Sequence, residues 1–167
     1  MNIIEIISEE YDNIIKEYEK LGSGGYGKVF EKDGFAFKVT TDIDEAKYAL
    51  RIKNNQNNVS TFPIIYSVKP NRDSSYYIIK RELVDMLKPT EKAYVQGNNF
   101  KMIKYVNFGD EESLEYLKNS RLNSRFIDFL INLRKDYLTL GKKFDNLDIH
   151  AGNIGVNSEG DFVLFDF

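Results

Sequence analysis

The 167-residue sequence has no cysteine, no tryptophan, three prolines and a single histidine. Without cysteine there is no disulfide, no thiolate zinc site and no cysteine nucleophile, a composition that fits a reducing compartment. With only His150 available, a multi-histidine metal centre is excluded, and any Ser-His-Asp arrangement has to use that one ring. Neither sign of charge dominates: 23 basic residues face 26 acidic ones, net −3, so bulk electrostatics point to neither nucleic acid nor an anionic membrane. No apolar run approaches the length of a membrane span. The opening residues, Met1-Asn-Ile-Ile-Glu-Ile-Ile-Ser-Glu-Glu10, set acids among the isoleucines and lack the basic start and long apolar stretch of a secretory leader. The expectation is a cytoplasmic protein that binds neither nucleic acid nor membrane.

What is present is enough apolar material for a real core, 42% hydrophobic with 14% aromatic. The length suits one domain, or two small lobes sharing a cleft. Ile3, Ile7, Tyr11, Ile14, Ile15 and Tyr18 recur at helical spacing and predict an amphipathic N-terminal helix within residues 1–20. From Leu21 the texture changes to short β-prone runs, Lys28 to Lys32 and Phe35 to Val39, around a Lys-Asp-Gly turn. Ile43, Ala46 and Leu50 return to helical spacing, and the polar run at residues 54–58 ends that helix. Two further β-like runs, Phe62 to Val68 and Tyr76 to Lys80, complete a small, mostly antiparallel sheet with one inserted helix. Residues 88–110 are the least readable, with Phe100 to Val106 a candidate strand. Glu111 to Asn119 and Ser124 to Leu140 predict helices, the second stopped by Gly141. The segment from Asp145 to Phe167 predicts a loop feeding a β-hairpin that turns at Ser158 to Gly160.

Three chemistries compete for Gly22-Ser-Gly-Gly-Tyr-Gly-Lys-Val29. A dinucleotide fingerprint needs a helix after its last glycine, and a strand pattern follows instead. A Walker A loop needs a hydroxyl after Gly27-Lys28, and Val29 stands there. The third is a hairpin that covers ATP phosphates, followed by a lysine on the next strand. Lys38 has that position.

The second half carries Asp148-Ile-His-Ala-Gly-Asn153 and Phe165-Asp-Phe167. These resemble the catalytic loop and metal-binding motif of the protein-kinase-like superfamily, and the resemblance runs from Leu21 to Phe167. The loop is more similar to that of aminoglycoside and choline kinase relatives than to that of serine/threonine kinases. The fold this resemblance implies is α+β and two-lobed. It has a small antiparallel β lobe over residues 21–84 with one inserted helix, and an abbreviated helical lobe over residues 85–167. The activity implied is transfer of the γ-phosphoryl group of ATP, with Mg²⁺, to a hydroxyl of a protein.

The roles implied are specific. Gly22, Gly24 and Gly27 cover the phosphates, and Val29 and Ala36 line the nucleotide site, with Ala36 roofing the adenine. Lys38 holds the phosphates, partnered by Glu45, with Asp44 the other possibility. Glu82-Leu-Val84 stands where a hinge backbone bonds adenine, Asn153 and Asp166 bind Mg²⁺, and Asp148 orients the acceptor. For His150 a structural hydrogen bond is expected.

There are departures from the superfamily's pattern. Asn146-Leu147 replaces the usual His-Arg, Gly155 stands where an apolar side chain often floors the adenine site, and the sequence given stops before the glycine of Asp-Phe-Gly. The chain is similar to the compact kinases of phages and bacterial effectors, which implies a host cytoplasm if it is of that origin. Two other outcomes stay open: a non-catalytic kinase-like module that binds a partner protein, and a small-molecule kinase.

Overall fold

The computed structural model describes residues 19–23, 27–71, 75–121, 123–141 and 146–167. The helix expected over residues 3–18 and the loop glycine Gly24 lie outside them. The chain is α+β, and its described residues fall into two compact units.

The first unit comprises the described residues up to Asn54 together with Ile64–Leu83. It holds five strands, β1 (Glu19–Ser23), β2 (Gly27–Lys32), β3 (Phe35–Thr40), β4 (Ile65–Pro70) and β5 (Tyr77–Glu82). Their order is β1-β2-β3-β5-β4, with every neighbouring pair antiparallel. β1 opens at Glu19, ahead of the change of texture at Leu21. Asp33 and Gly34 join β2 to β3 with φ of 53° and 79°, the doubly left-handed turn that Asp-Gly tolerates and that matches strand twist. The register sets Val29, Lys38 and Ile79 in one row, with Ala36 two residues from Lys38 on the same face. Phe30, Phe37, Val39 and Ile78 pack together on the opposite face.

Helix α1 (Ile43–Asn54) is inserted between β3 and β4. Its N-terminus is capped by Asp42, whose Oδ1 accepts from the N–H groups of Asp44 at 2.8 Å and Glu45 at 3.2 Å. Ala46, Tyr48, Ala49 and Ile52 form its buried side.

The second unit comprises Asn55–Pro63 and Val84–Phe167. Its helices are α2 (Pro89–Phe108), α3 (Glu111–Asn119) and α4 (Ser124–Leu140), and its antiparallel sheet runs β6 (Asp85–Met86), β7 (Ile154–Val156), β8 (Phe162–Leu164). α4 is capped by Asn123, which accepts the Phe126 N–H at 2.8 Å, and it buries Phe126, Phe129, Leu130, Leu133 and Tyr137. The Phe126 ring meets Phe129 and Phe162 edge-on, with centroids 5.5 and 4.9 Å away.

Asp136, on the same helix and 4% exposed, accepts from Ser60 N–H, Thr61 N–H and the Thr61 hydroxyl at 2.8, 3.0 and 2.8 Å. The Thr61 carbonyl in turn accepts from Leu164 N–H at 2.8 Å, and the Phe62 ring meets Phe167 edge-on at 5.7 Å. Residues 60–62 are thus tied to both α4 and the end of β8.

The candidate strand from Phe100 to Val106 is the middle of helix α2. The run Phe-Lys-Met-Ile-Lys-Tyr-Val is rich in aromatic and β-branched residues, which favour a strand over so short a span. Over twenty residues, Val95, Met102, Tyr105 and Val106 form the buried stripe of a helix, while Phe100 and Phe108 stay exposed. Pro89 at the first turn and the Glu91 carboxylate accepting Lys88 N–H at 2.9 Å start the helix. Gly109, with φ of 74°, closes it. Among the described residues no helix is long and apolar enough to cross a membrane.

Candidate functional site

In the first unit the site residues gather around β3. Lys38 projects from this strand and forms an ion pair with Glu45 in the first turn of α1, and the two side chains are only 12% and 7% exposed. The Asp42 cap explains the choice of partner. It starts the helix so that Glu45 faces the sheet while Asp44 faces solvent. Thr40 extends the arrangement, its hydroxyl accepting the Asp42 N–H at 3.1 Å. Ala36, 1% exposed, and Val29 flank Lys38 on the same face.

The described glycines of the loop differ in what constrains them. A side chain on Gly22 meets nothing within 4 Å, whereas a Cβ on Gly27 would lie 2.6 Å from the Val39 carbonyl oxygen. Gly27 is therefore required by the close approach of β2 and β3, whatever else the loop does. At the far end of β5, Glu82 is already engaged within the sheet. Its N–H donates to the Ile64 carbonyl at 2.9 Å, its carboxylate accepts the Ile64 N–H at 2.9 Å, and its carbonyl accepts from Arg81 Nη1 at 3.3 Å.

In the second unit the loop from Asn146 to Asn153 carries Asp148, His150 and Asn153. Asn146 takes a left-handed φ of 61°, a conformation asparagine tolerates better than most residues. The following Leu147 is gripped by Asn107 of α2. That side chain, 1% exposed, accepts the Leu147 N–H at 2.8 Å and donates to the Leu147 carbonyl at 3.0 Å. Nothing in the sequence singles out Asn107: it lies forty residues from its partner, in the segment whose helix was hardest to read.

Past this clamp, Asp148 is exposed and Asn153 is buried. Asn153 Nδ2 donates to the Asp148 carbonyl at 3.0 Å and to Asp148 Oδ2 at 3.2 Å. The backbone of Asn153 accepts the Phe165 N–H at 2.9 Å, which extends the β7–β8 pairing by one step and brings Asp166 to the open end of the hairpin beside Asn153. His150 makes the expected structural hydrogen bond, its Nδ1 accepting the Gly152 N–H at 3.0 Å.

A Cβ on Gly155 would fall 2.6 Å from the Asp85 carbonyl oxygen and 3.2 Å from both Phe165 and Val84 side chains. Glycine at this position is thus dictated by the close approach of β6, and Val84 and Phe165 fill the space that a side chain would take.

The arrangement offers chemistry of two kinds. A buried lysine held by a carboxylate can pair with an anion. An exposed carboxylate beside a carboxamide can accept a proton from a hydroxyl. Asn153 turns its Nδ2 toward Asp148, which leaves its Oδ1 as a hard oxygen donor, and the Asp166 carboxylate is a second such group in the chain. Among the described residues no three acidic or imidazole groups converge into a metal cage. A two-ligand set of this kind fits Mg²⁺, which keeps water and phosphate oxygens in its shell. Compared with known proteins, the chain matches no family model, and a search of curated proteins finds no match.

Proposed function

We propose that the chain is a kinase-like phosphotransferase, two-lobed in the manner of that superfamily, that moves the γ-phosphoryl group of ATP to a hydroxyl of a protein substrate. The observation that carries this reading is the buried Lys38–Glu45 pair. Burying two charges costs about as much as their attraction returns, so such a pair is a poor device for stability and a good one for holding a cation ready for an anion. In this reading Gly22, Gly24 and Gly27 cover the phosphates, Lys38 pairs with them and Glu45 orients Lys38. Val29 and Ala36 lie against the nucleotide. Since Glu82 bonds within its own sheet, the purine contacts of the hinge fall to Leu83 and Val84.

ATP with Mg²⁺ supplies the transferable group and the neutralising charge, and Asn153 and Asp166 would hold the metal. Asp148 orients the acceptor hydroxyl and takes its proton as the oxygen–phosphorus bond forms and the bond to the departing ADP breaks. The reading requires both sets of residues to act on one nucleotide.

Nucleotide binding is tested by thermal denaturation with ATP and Mg²⁺. At a hundredfold excess over Kd, binding adds about 2.7 kcal/mol, so a rise of several degrees is expected for the wild type and none for Lys38→Ala. The absence of any nucleotide-dependent rise in the wild type would overturn the proposal.

A further inference from the structure

We infer that Asn107 is a positioning residue for Asp148: with Asn153 it holds the peptide groups on either side of Asp148 and so fixes the direction in which the carboxylate leaves the backbone. The inference rests on the transfer reading above and adds to it a residue that no motif contains.

Residues 146–149 belong to no helix or strand, so no ladder of backbone bonds holds their peptide groups. Two side-chain amides do so instead. Asn107 Oδ1 accepts the Leu147 N–H at 2.8 Å and its Nδ2 donates to the Leu147 carbonyl at 3.0 Å. Asn153 Nδ2 donates to the Asp148 carbonyl at 3.0 Å. The peptide groups 146–147, 147–148 and 148–149 are thereby held in succession, and the Asp148 Cα lies between the last two. Since each peptide group is planar, holding both restricts φ and ψ of Asp148 together. Leu147 and Ile149 are 3% and 0% exposed while Asp148 is exposed, so the backbone is anchored on both sides of the carboxylate by buried side chains.

The residue type follows from the two bonds. A carboxamide sets a donor beside an acceptor, whereas an ionised carboxylate would turn an oxygen on the Leu147 carbonyl. At 1% exposure such a polar group is costly unless both of its ends are bonded. The turn that carries Asn107 is itself tied to α4. Arg134 of that helix donates from Nη1 to the Val106 carbonyl at 2.8 Å, and its guanidinium lies where a side chain on Gly109 would be. The Gly109 N–H donates to the Tyr105 carbonyl at 2.7 Å.

Two substitutions test the role. Asn107→Leu fills the same space and makes neither bond. Asn107→Gln keeps the carboxamide but carries it one methylene further, so its bonds re-form only with Leu147 displaced. With ATP, Mg²⁺ and the chain itself as acceptor, each variant is expected to lose roughly tenfold to a hundredfold in kcat per ATP-binding site. KM for ATP should be unchanged, and the α4 amides should stay protected from hydrogen exchange, which reports that the second unit is folded. A residue that served stability alone would change the number of folded molecules and leave kcat per site as it was. In an Asp148→Ala background neither substitution should cost anything further, because the effect runs through Asp148.

Wild-type kcat per site in a variant that keeps α4 protected would overturn the inference. So would a loss carried by KM for ATP, or a full additional loss in the Asp148→Ala background. If Asn107→Leu loses its fold, Asn107→Gln carries the test, and loss of α4 protection in both would make Asn107 a structural residue instead. A wild-type chain that transfers no phosphate overturns the transfer reading itself, an outcome distinct from an active wild type indifferent to Asn107.

Discussion

Lys38 and Glu45 show why stability and function have to be separated residue by residue. Removing one partner leaves a buried charge without its counter-ion, and Lys38→Met alone should cost about 3–5 kcal/mol in urea denaturation. Replacing both, as Lys38→Met with Glu45→Leu, should restore stability to within about 1 kcal/mol of the wild type, or exceed it, while nucleotide-dependent stabilisation stays absent. A double variant as unstable as the single one would show that the pair is structural. At this scale much was legible. The pairing of Lys38 with Glu45 is an expectation carried by the resemblance, and the structure forms that ion pair. The bonds of Asn107 to Leu147 were not legible, because a buried asparagine is recognised by its partner, and the partner is set by tertiary packing. Gly155 was visible as a glycine, but the Asp85 carbonyl that requires it was not.

At the scale of elements, the inserted helix and α4 stand where they are expected, ended by the polar run at 54–58 and by Gly141, although Ile43 and Leu50, which carried the spacing of the first, are exposed. Helix α2 was hidden by a stretch rich in aromatic and β-branched residues, and its period emerges only over a span longer than any strand of the sheets. Its exposed Phe100 and Phe108 blur the contrast between the two sides. Residues 60–62 show a different limit. The β-like run expected from Phe62 pairs as β4 only from Ile65, and just ahead of it Ser60 and Thr61 give their N–H groups to Asp136. Asp136→Ala leaves three donors without an acceptor and should lower unfolding free energy by about 3 kcal/mol or more. Asp136→Asn, which keeps one acceptor oxygen, should lose less. Urea midpoints measure both, and an unchanged midpoint in Asp136→Ala would show that residues 60–62 hold their place without this anchor.

For the whole molecule, the absences with which the sequence begins have a structural counterpart. The candidate residues present carboxylates, a buried lysine and a carboxamide. Those groups suit phosphoryl transfer, where the protein's task is positioning and charge neutralisation more than covalent chemistry. The lysine pair lies in one compact unit and the carboxylate loop in the other. The most direct measurement is transfer of radiolabelled γ-phosphate, to the chain itself and to proteins of a cell lysate, by wild type, Lys38→Ala and Asp148→Ala. The account predicts label transfer by the wild type and at least a hundredfold less by each variant. Transfer undiminished in Asp148→Ala, or no transfer by a wild type that binds ATP and Mg²⁺, would contradict it.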